Sequence, residues 1–213
     1  MSNRRNPAAE RQARLAAVRA AQQKKERRRT LVISGVAGTL VIALIAVAAV
    51  VIAGAGRDKA ALEAQADAEI PGVQQIDGLS FNHVSTTVEY PQTPPAGGEH
   101  NPAWLNCGVY TEPVPNENAV HSLEHGAIWI TYDPSLPADQ IATLTALADR
   151  NSYVLVSPYA GMDSPITVTA WGYQLALDSA DDERLPVFVQ KYLLNDELAE
   201  AGAPCSNGVG VPA

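Results

Sequence analysis

The sequence predicts an α+β fold: a single N-terminal transmembrane helix followed by a compact extracytoplasmic domain with a small mixed β-sheet and two packed helices. Three observations predict it. Leu31 to Ala53 reads LVISGVAGTLVIALIAVAAVVIA, 23 residues without a charge. Charge is segregated about that run, because residues 1–30 hold most of the Lys and Arg with only Glu10 and Glu26, whereas residues 54–213 are strongly acidic. Beyond residue 126 the hydrophobic pattern switches repeatedly between strand and helix periods.

Residues 1–30 form a basic leader, rich in the helix formers Ala, Gln, Lys and Arg. Nothing in it interleaves aromatics with the basic residues, so a lipid bilayer is the expected partner and nucleic acid is not. Residues 31–53 have the length of a transmembrane helix, since roughly 1.5 Å per residue carries them past a ~30 Å hydrocarbon core. Basic residues before the run place the N-terminus in the cytoplasm, the C-terminal part outside, and the protein in the cell membrane. The competing reading is a cleaved signal peptide ending near Ala53-Gly54-Ala55, but signal peptides carry an apolar stretch of only about 7–15 residues. Small and polar Ser34, Gly35, Gly38 and Thr39 permit helix packing without the four-residue spacing of the dimer motif. Residues 54–70 read as a helical stalk or linker ending before Pro71, and residues 71–213 as the folded domain.

The first third of that domain is irregular, because Pro91, Pro94, Pro95, Gly97, Gly98, Pro102, Pro113 and Pro115 break every regular pattern. Ala127–Tyr132 is a β-branched and aromatic run that reads as a buried strand. Pro137–Arg150 follows as a helix, with proline suited to its first turn and Ile141, Leu144, Leu147 and Ala148 on one stripe. Tyr153–Ser157 is a second strand, and the strand–helix–strand unit predicts a right-handed parallel crossover. Ile166–Trp171 alternates as a half-buried strand, and Gly172 turns it into a further strand, Tyr173–Leu177, paired antiparallel. The last helix aligns Leu185, Phe188, Val189, Tyr192 and Leu193, and tolerates Pro186 only in its first turn.

Cys107 and Cys205 are the two cysteines, and an oxidising compartment makes a bridge between them the expected state. The alternative is that Cys107 is a metal ligand or a redox thiol.

The histidines carry the most chemistry. In His121-Ser122-Leu123-Glu124-His125-Gly126, the two imidazoles stand four apart on one helical face, close enough to share an ion. The string also fits the inverted zinc-protease pattern H-x-x-E-H, in which Glu124 would activate water. Gly126 and the strand after it leave any helix here only a turn or two, and the rest of the protease framework is absent from the sequence. His100, in the loop GGEHNPAW, adds a third donor, with Trp104 placed to cover it. His100, His121 and His125 are therefore the candidate metal ligands, with zinc or copper the ions that suit imidazole donors. The plainer reading is that these histidines tie loops together by hydrogen bonds and that His125 serves the end of its helix. His83, in the early loop, reads as exposed rather than as a ligand.

No nucleophile elbow, phosphate loop or dinucleotide fingerprint is present. The strings PPAGGEHNPAW, NCGVYTEPVPNENAVHSLEHGAIWITY, VLVSPY and TAWG resemble a bacterial family known as a domain of unknown function, number 3105. The resemblance spans roughly Ile76 to Cys205, and HSLEHG is its most distinctive string. It implies an extracytoplasmic domain that often follows a single membrane anchor, and it implies no activity. Three functions follow from the sequence: a binding module for an unidentified extracytoplasmic protein or ligand, with a histidine-based metal site; a metal-dependent hydrolase using Glu124 as base; or a structural envelope component.

Overall fold

A computed structural model describes residues 7–213, without the side-chain surroundings of residues 7–10, 13 and 35–42. The chain divides after Asp58 into two compact units. The helix α1, Pro7–Ala66, begins in the first unit and supplies the opening turns of the second.

The expected transmembrane helix over residues 31–53 is not found. Among the described residues, no helix is long and apolar enough to cross a membrane. The apolar run is no separate element; it lies inside α1, which carries charged residues from Arg11 to Arg29 and again from Arg57. Gly35, Gly38 and Thr39, whose packing the sequence raised, are among the residues whose side-chain surroundings are not described, and residues 1–6 of the leader lie outside the described residues.

The second unit, Lys59–Ala213, is an α+β domain built on one six-stranded mixed sheet. After α1 its elements are β1 Val73–Gln75, β2 Gly108–Val109, α2 Asn116–Glu124, β3 Ile128–Tyr132, α3 Ala138–Ala148, β4 Val154–Pro158, β5 Ile166–Ala170, β6 Tyr173–Leu177 and α4 Arg184–Tyr192. The strand order is β1-β6-β5-β3-β4-β2. The β3–α3–β4 unit is a parallel crossover, with Ile128 opposite Val154 and Ile130 opposite Val156. The β5–β6 hairpin turns at Gly172, whose φ of 76° suits glycine, and β5 runs antiparallel to β3. Pro186 sits in the first turn of α4, the one place where its missing N–H costs nothing.

The two-residue period of the strands sorts their side chains onto two faces. Ile128 and Ile130 of β3, Val154 and Val156 of β4, and Ile166 and Val168 of β5 point to one face, where they meet Leu144 of α3 and Phe188 of α4. Ala66, at the end of α1, joins this core. Trp129 and Leu155 point the other way, to Leu105, Tyr110, Trp171 and the α2 residues Ala119, Val120 and Leu123. Strand β5 was expected to be half-buried, yet Thr167 and Thr169 are buried as well. The reason is that the irregular segment before β3 folds over this second face instead of leaving it to water. A third helix, α2, thus joins the two expected ones.

Cys107 and Cys205 form a disulfide with their α-carbons 5.3 Å apart. The chain flanking it pairs as well, the Cys107 N–H donating to the Cys205 carbonyl at 2.8 Å. The C-terminal tail is thereby fixed beside the start of β2.

Candidate metal centre

The loop-covered face of the sheet gathers all four histidines. Helix α2 supplies His121 and Glu124, and His125 caps its end. Pro115 caps the first turn in an extended conformation, its carbonyl accepting the Ala119 N–H. The apolar stripe Ala119, Val120 and Leu123 then docks α2 on Trp129 and Leu155. Gly126 ends the helix at φ 88°, donating its N–H to the Leu123 carbonyl. A Cβ there would approach the Leu194 α-carbon to 2.8 Å, so the turn that follows His125 requires glycine twice over.

The proline-rich loop is stitched to α2 through main-chain and side-chain bonds. Asn101 N–H donates to the Glu117 carbonyl, Leu105 N–H to the Asn118 carbonyl, and Ser122 Oγ to the Leu105 carbonyl. These bonds bring His100 onto the helix. His83 follows because Val84 N–H donates to the His100 carbonyl and His100 N–H to the Asn82 carbonyl. The irregular segment therefore has few strands but fixed registers.

Two overlapping groups of donors result. His83, His100, His121 and Glu124 place one ligand atom each within 4.8 Å of one another, and so do His121, His125 and Glu200. In the first group, Glu124 Oε2 stands 2.9 Å from His100 Nε2 and 3.6 Å from His83 Nε2. In the second, Glu200 Oε2 stands 3.3 Å from His125 Nε2 and 3.9 Å from His121 Nε2. His100, His121, Glu124 and His125 are buried, whereas the His83 and Glu200 side chains are 39% and 43% exposed.

Three imidazoles are locked by the main chain. Nδ1 of His100 contacts the Gly98 carbonyl at 2.7 Å, Nδ1 of His121 the Asn101 carbonyl at 2.6 Å, and Nδ1 of His125 the Pro204 carbonyl at 2.8 Å. A carbonyl only accepts, so each Nδ1 carries the proton. The neutral ring then leaves Nε2 as a bare lone pair, the tautomer and anchoring found where histidine ligates a metal. Burial lowers the pKa of His100 and takes that of His121 down to about 4, which favours the neutral, ligating form. Burial, reinforced by the charge of Glu200, raises the pKa of Glu124.

His100 Nε2 and Glu124 Oε2 both lie buried with no hydrogen-bond partner. At 2.9 Å they are close but not aligned to bond each other. Two unmatched buried acceptors of this kind are costly in a fold unless something else completes them. A cation placed between them would complete both.

The structure redistributes the residues that the sequence singled out. His121 and His125 share a helical face, with ring centroids 4.6 Å apart, but Glu124 pairs with His100 and His83 and groups with His121 rather than with His125. The three candidate ligands His100, His121 and His125 thus divide between the two groups, with His121 common to both. Trp104, expected over His100, lies instead against His125 and His121 at 5.2 and 6.0 Å between centroids. Trp171 flanks His100 at 5.6 Å and stacks on Phe81.

Two residues were missed. His83 is exposed, as read from the sequence, yet stacks on His121 with centroids 4.7 Å apart and directs Nε2 toward Glu124. Glu200 drew no attention because it sits in a plain acidic stretch. Its signal was the disulfide: an acid five positions before Cys205 is carried by that bridge toward the loop around His100 and Cys107.

Fold and site together define an α+β domain, closed by a disulfide, whose sheet carries a buried histidine–carboxylate cluster on its loop-covered face. The chain belongs to the family described as "Protein of unknown function (DUF3105)", whose model matches residues 83–207. That span begins at His83 and includes all six donors and both cysteines. No curated protein and no solved structure matches the chain.

Proposed function

We propose that the domain is an extracytoplasmic metal-binding module that holds a divalent first-row transition ion through His83, His100, His121 and Glu124. The observation that carries this reading is the pairing of His100 Nε2 with Glu124 Oε2, both buried and both without a hydrogen-bond partner. Carbonyl-anchored Nδ1 atoms on His100 and His121 support it, since they fix the tautomer that offers Nε2 to an ion. Neutral imidazoles with one carboxylate suit zinc or copper, whereas calcium and magnesium prefer sets of oxygens. The Cys107–Cys205 bridge supports an oxidising compartment outside the cytoplasm.

The hydrolase reading loses support from the position of Glu124. A general base must stand free beside a metal-bound water, and Glu124 Oε2 instead stands 2.9 Å from His100 Nε2. Binding, rather than catalysis, is the function this geometry favours.

The test is zinc content. The chain is stripped with a chelator, dialysed against Zn(II), and compared with His100→Ala, circular dichroism confirming that both are folded. The expected result is stoichiometric zinc in the wild type, one equivalent fewer in the variant, and a melting temperature that zinc raises. Binding at 100 times Kd stabilises a fold by ~2.7 kcal/mol. Absence of zinc from the wild type, or equal zinc in both proteins, overturns the reading.

A further inference from the structure

We infer that the cluster holds two ions, a second one docking on His121, His125 and Glu200 beside the first. This rests on the metal-binding reading above and extends it from one ion to a pair.

The donor count leads to it. Six side chains converge, four imidazoles and two carboxylates, in two groups that share His121; with His121 assigned to the second, they divide into His83, His100 and Glu124 on one side and His121, His125 and Glu200 on the other. Each half is two histidines and one carboxylate, a complete protein ligand set for zinc that leaves a position open to an oxygen ligand. His121 has one free lone pair, because its Nδ1 proton is committed to the Asn101 carbonyl. It therefore serves one ion at a time. Its fixed ligand atom lies within reach of both groups, so with a single ion it completes the group around Glu124, and with two it serves the group around Glu200.

The distances agree with two ligand sets. Ligands bonded to a tetrahedral ion at ~2.0–2.1 Å stand about 3.3–3.4 Å apart. Glu200 Oε2 is 3.3 Å from His125 Nε2 and 3.9 Å from His121 Nε2, while Glu124 Oε2 is 2.9 and 3.6 Å from its two histidines. Both sets already bracket the ligand spacing of a bound ion. The second set is also held from behind: the Pro204 carbonyl anchors His125 Nδ1, and the His125 carbonyl accepts the Gly202 N–H. The tail segment bearing Glu200 is thus tied to His125 by two bonds, next to the Cys107–Cys205 bridge. A salt bridge to Lys or Arg would give Glu200 a simpler role, but among the described residues its ion-pair contacts are His121 and His125.

The experiment counts zinc per chain, by equilibrium dialysis and atomic emission, in the wild type, Glu200→Gln and Glu124→Gln. Each substitution keeps shape and removes charge, and Glu200 is half-exposed, so a folded Glu200→Gln protein is expected; urea titration confirms it for both. Two ions per wild-type chain, with one left in each variant, is the expected result. One ion in the wild type that Glu200→Gln retains and Glu124→Gln loses overturns the second ion and leaves the single-ion reading standing. Two ions in Glu200→Gln also overturn it, by placing the second ion elsewhere. No zinc in the wild type overturns both readings together.

Discussion

The two faces of the sheet are covered in opposite ways. On one, α3 and α4 lay apolar stripes over Ile128, Ile130, Val154, Val156, Ile166 and Val168, and among the described residues no acid, histidine, lysine or arginine is buried in that core. On the other, α2 and a proline-rich loop cover Trp129 and Leu155, and four histidines and two carboxylates crowd in beside the aromatic rings. The helical face is a solvent-excluding core whose stability comes from area removed from water. The loop-covered face buries polar groups whose bonding is incomplete without a ligand. The first face is where the fold is stabilised, and the second carries the buried atoms His100 Nε2 and Glu124 Oε2, which lack a hydrogen-bond partner.

The largest effect should come from the helical face. Phe188 is fully buried there, and Phe188→Ala should cost about 3–5 kcal/mol through lost burial and the cavity left behind. Urea titration should show the midpoint falling while the slope stays the same. A loss below 1 kcal/mol would mean that this face is not the stabilising core.

Next is the disulfide, which belongs to the other face. The bridge closes a separation of 98 residues, and replacing both cysteines with alanine should cost about 2–5 kcal/mol. The tail anchoring His125 and Glu200 should loosen with it, so metal content should fall even where the domain stays folded. Unchanged zinc in a folded double variant would show that the tail needs no covalent tether.

A third test separates the faces by pH in the metal-free chain. The pKa of His121 is about 4 in the fold against 6.5 in the unfolded chain. The unfolded state therefore takes the proton first as pH falls, and stability drops across the window from 6.5 to about 4, by on the order of 3 kcal/mol. On the helical side, Asp182 has its pKa lowered from 3.8 by hydrogen bonds from Arg184, so its contribution is present above pH 3.8 and lost only below it. Urea midpoints at pH 7, 5.5 and 4.5 should decline. A flat profile over that range would place His121 in water rather than in a buried cluster.

The smallest effect has the opposite sign. Glu124 is buried, its charged form is disfavoured by desolvation and by Glu200, and Glu124→Gln removes that charge without changing shape. The metal-free variant should be more stable than the wild type by about 1–2 kcal/mol at pH 7, while binding less zinc. A variant that is less stable when metal-free would mean that Glu124 is a structural partner of His100 and not a strained ligand.

Strands β3 to β6 and helices α3 and α4 were legible because each buries its own apolar pattern, and a pattern of period two or 3.6 is written locally. The parallel β3–β4 crossover followed from the handedness of short connections. Strands β1 and β2 were not legible, being three and two residues long and held by pairing alone. The 23-residue uncharged run misled, because hydropathy over a window does not report how the helix containing it is continued. In the site, His121, Glu124 and His125 were visible as a helical string, and His100 as a histidine set among glycines. His83 and Glu200 stand 17 positions before His100 and 75 after His125, and no periodicity links them.

By itself, then, the sequence determined the α+β class, the elements around β3, the pairing of its two cysteines and membership of a family with no assigned activity. Those depend on local pattern, on composition and on a count of two. The tertiary structure alone decided that the proline-rich segment covers a sheet face, that Glu124 pairs with His100 and His83 rather than with His125, and that Glu200 arrives on a disulfide-tethered tail. Ligand geometry depends on distances between side chains far apart in the chain, and only the packing of loop, helix and tail sets those distances.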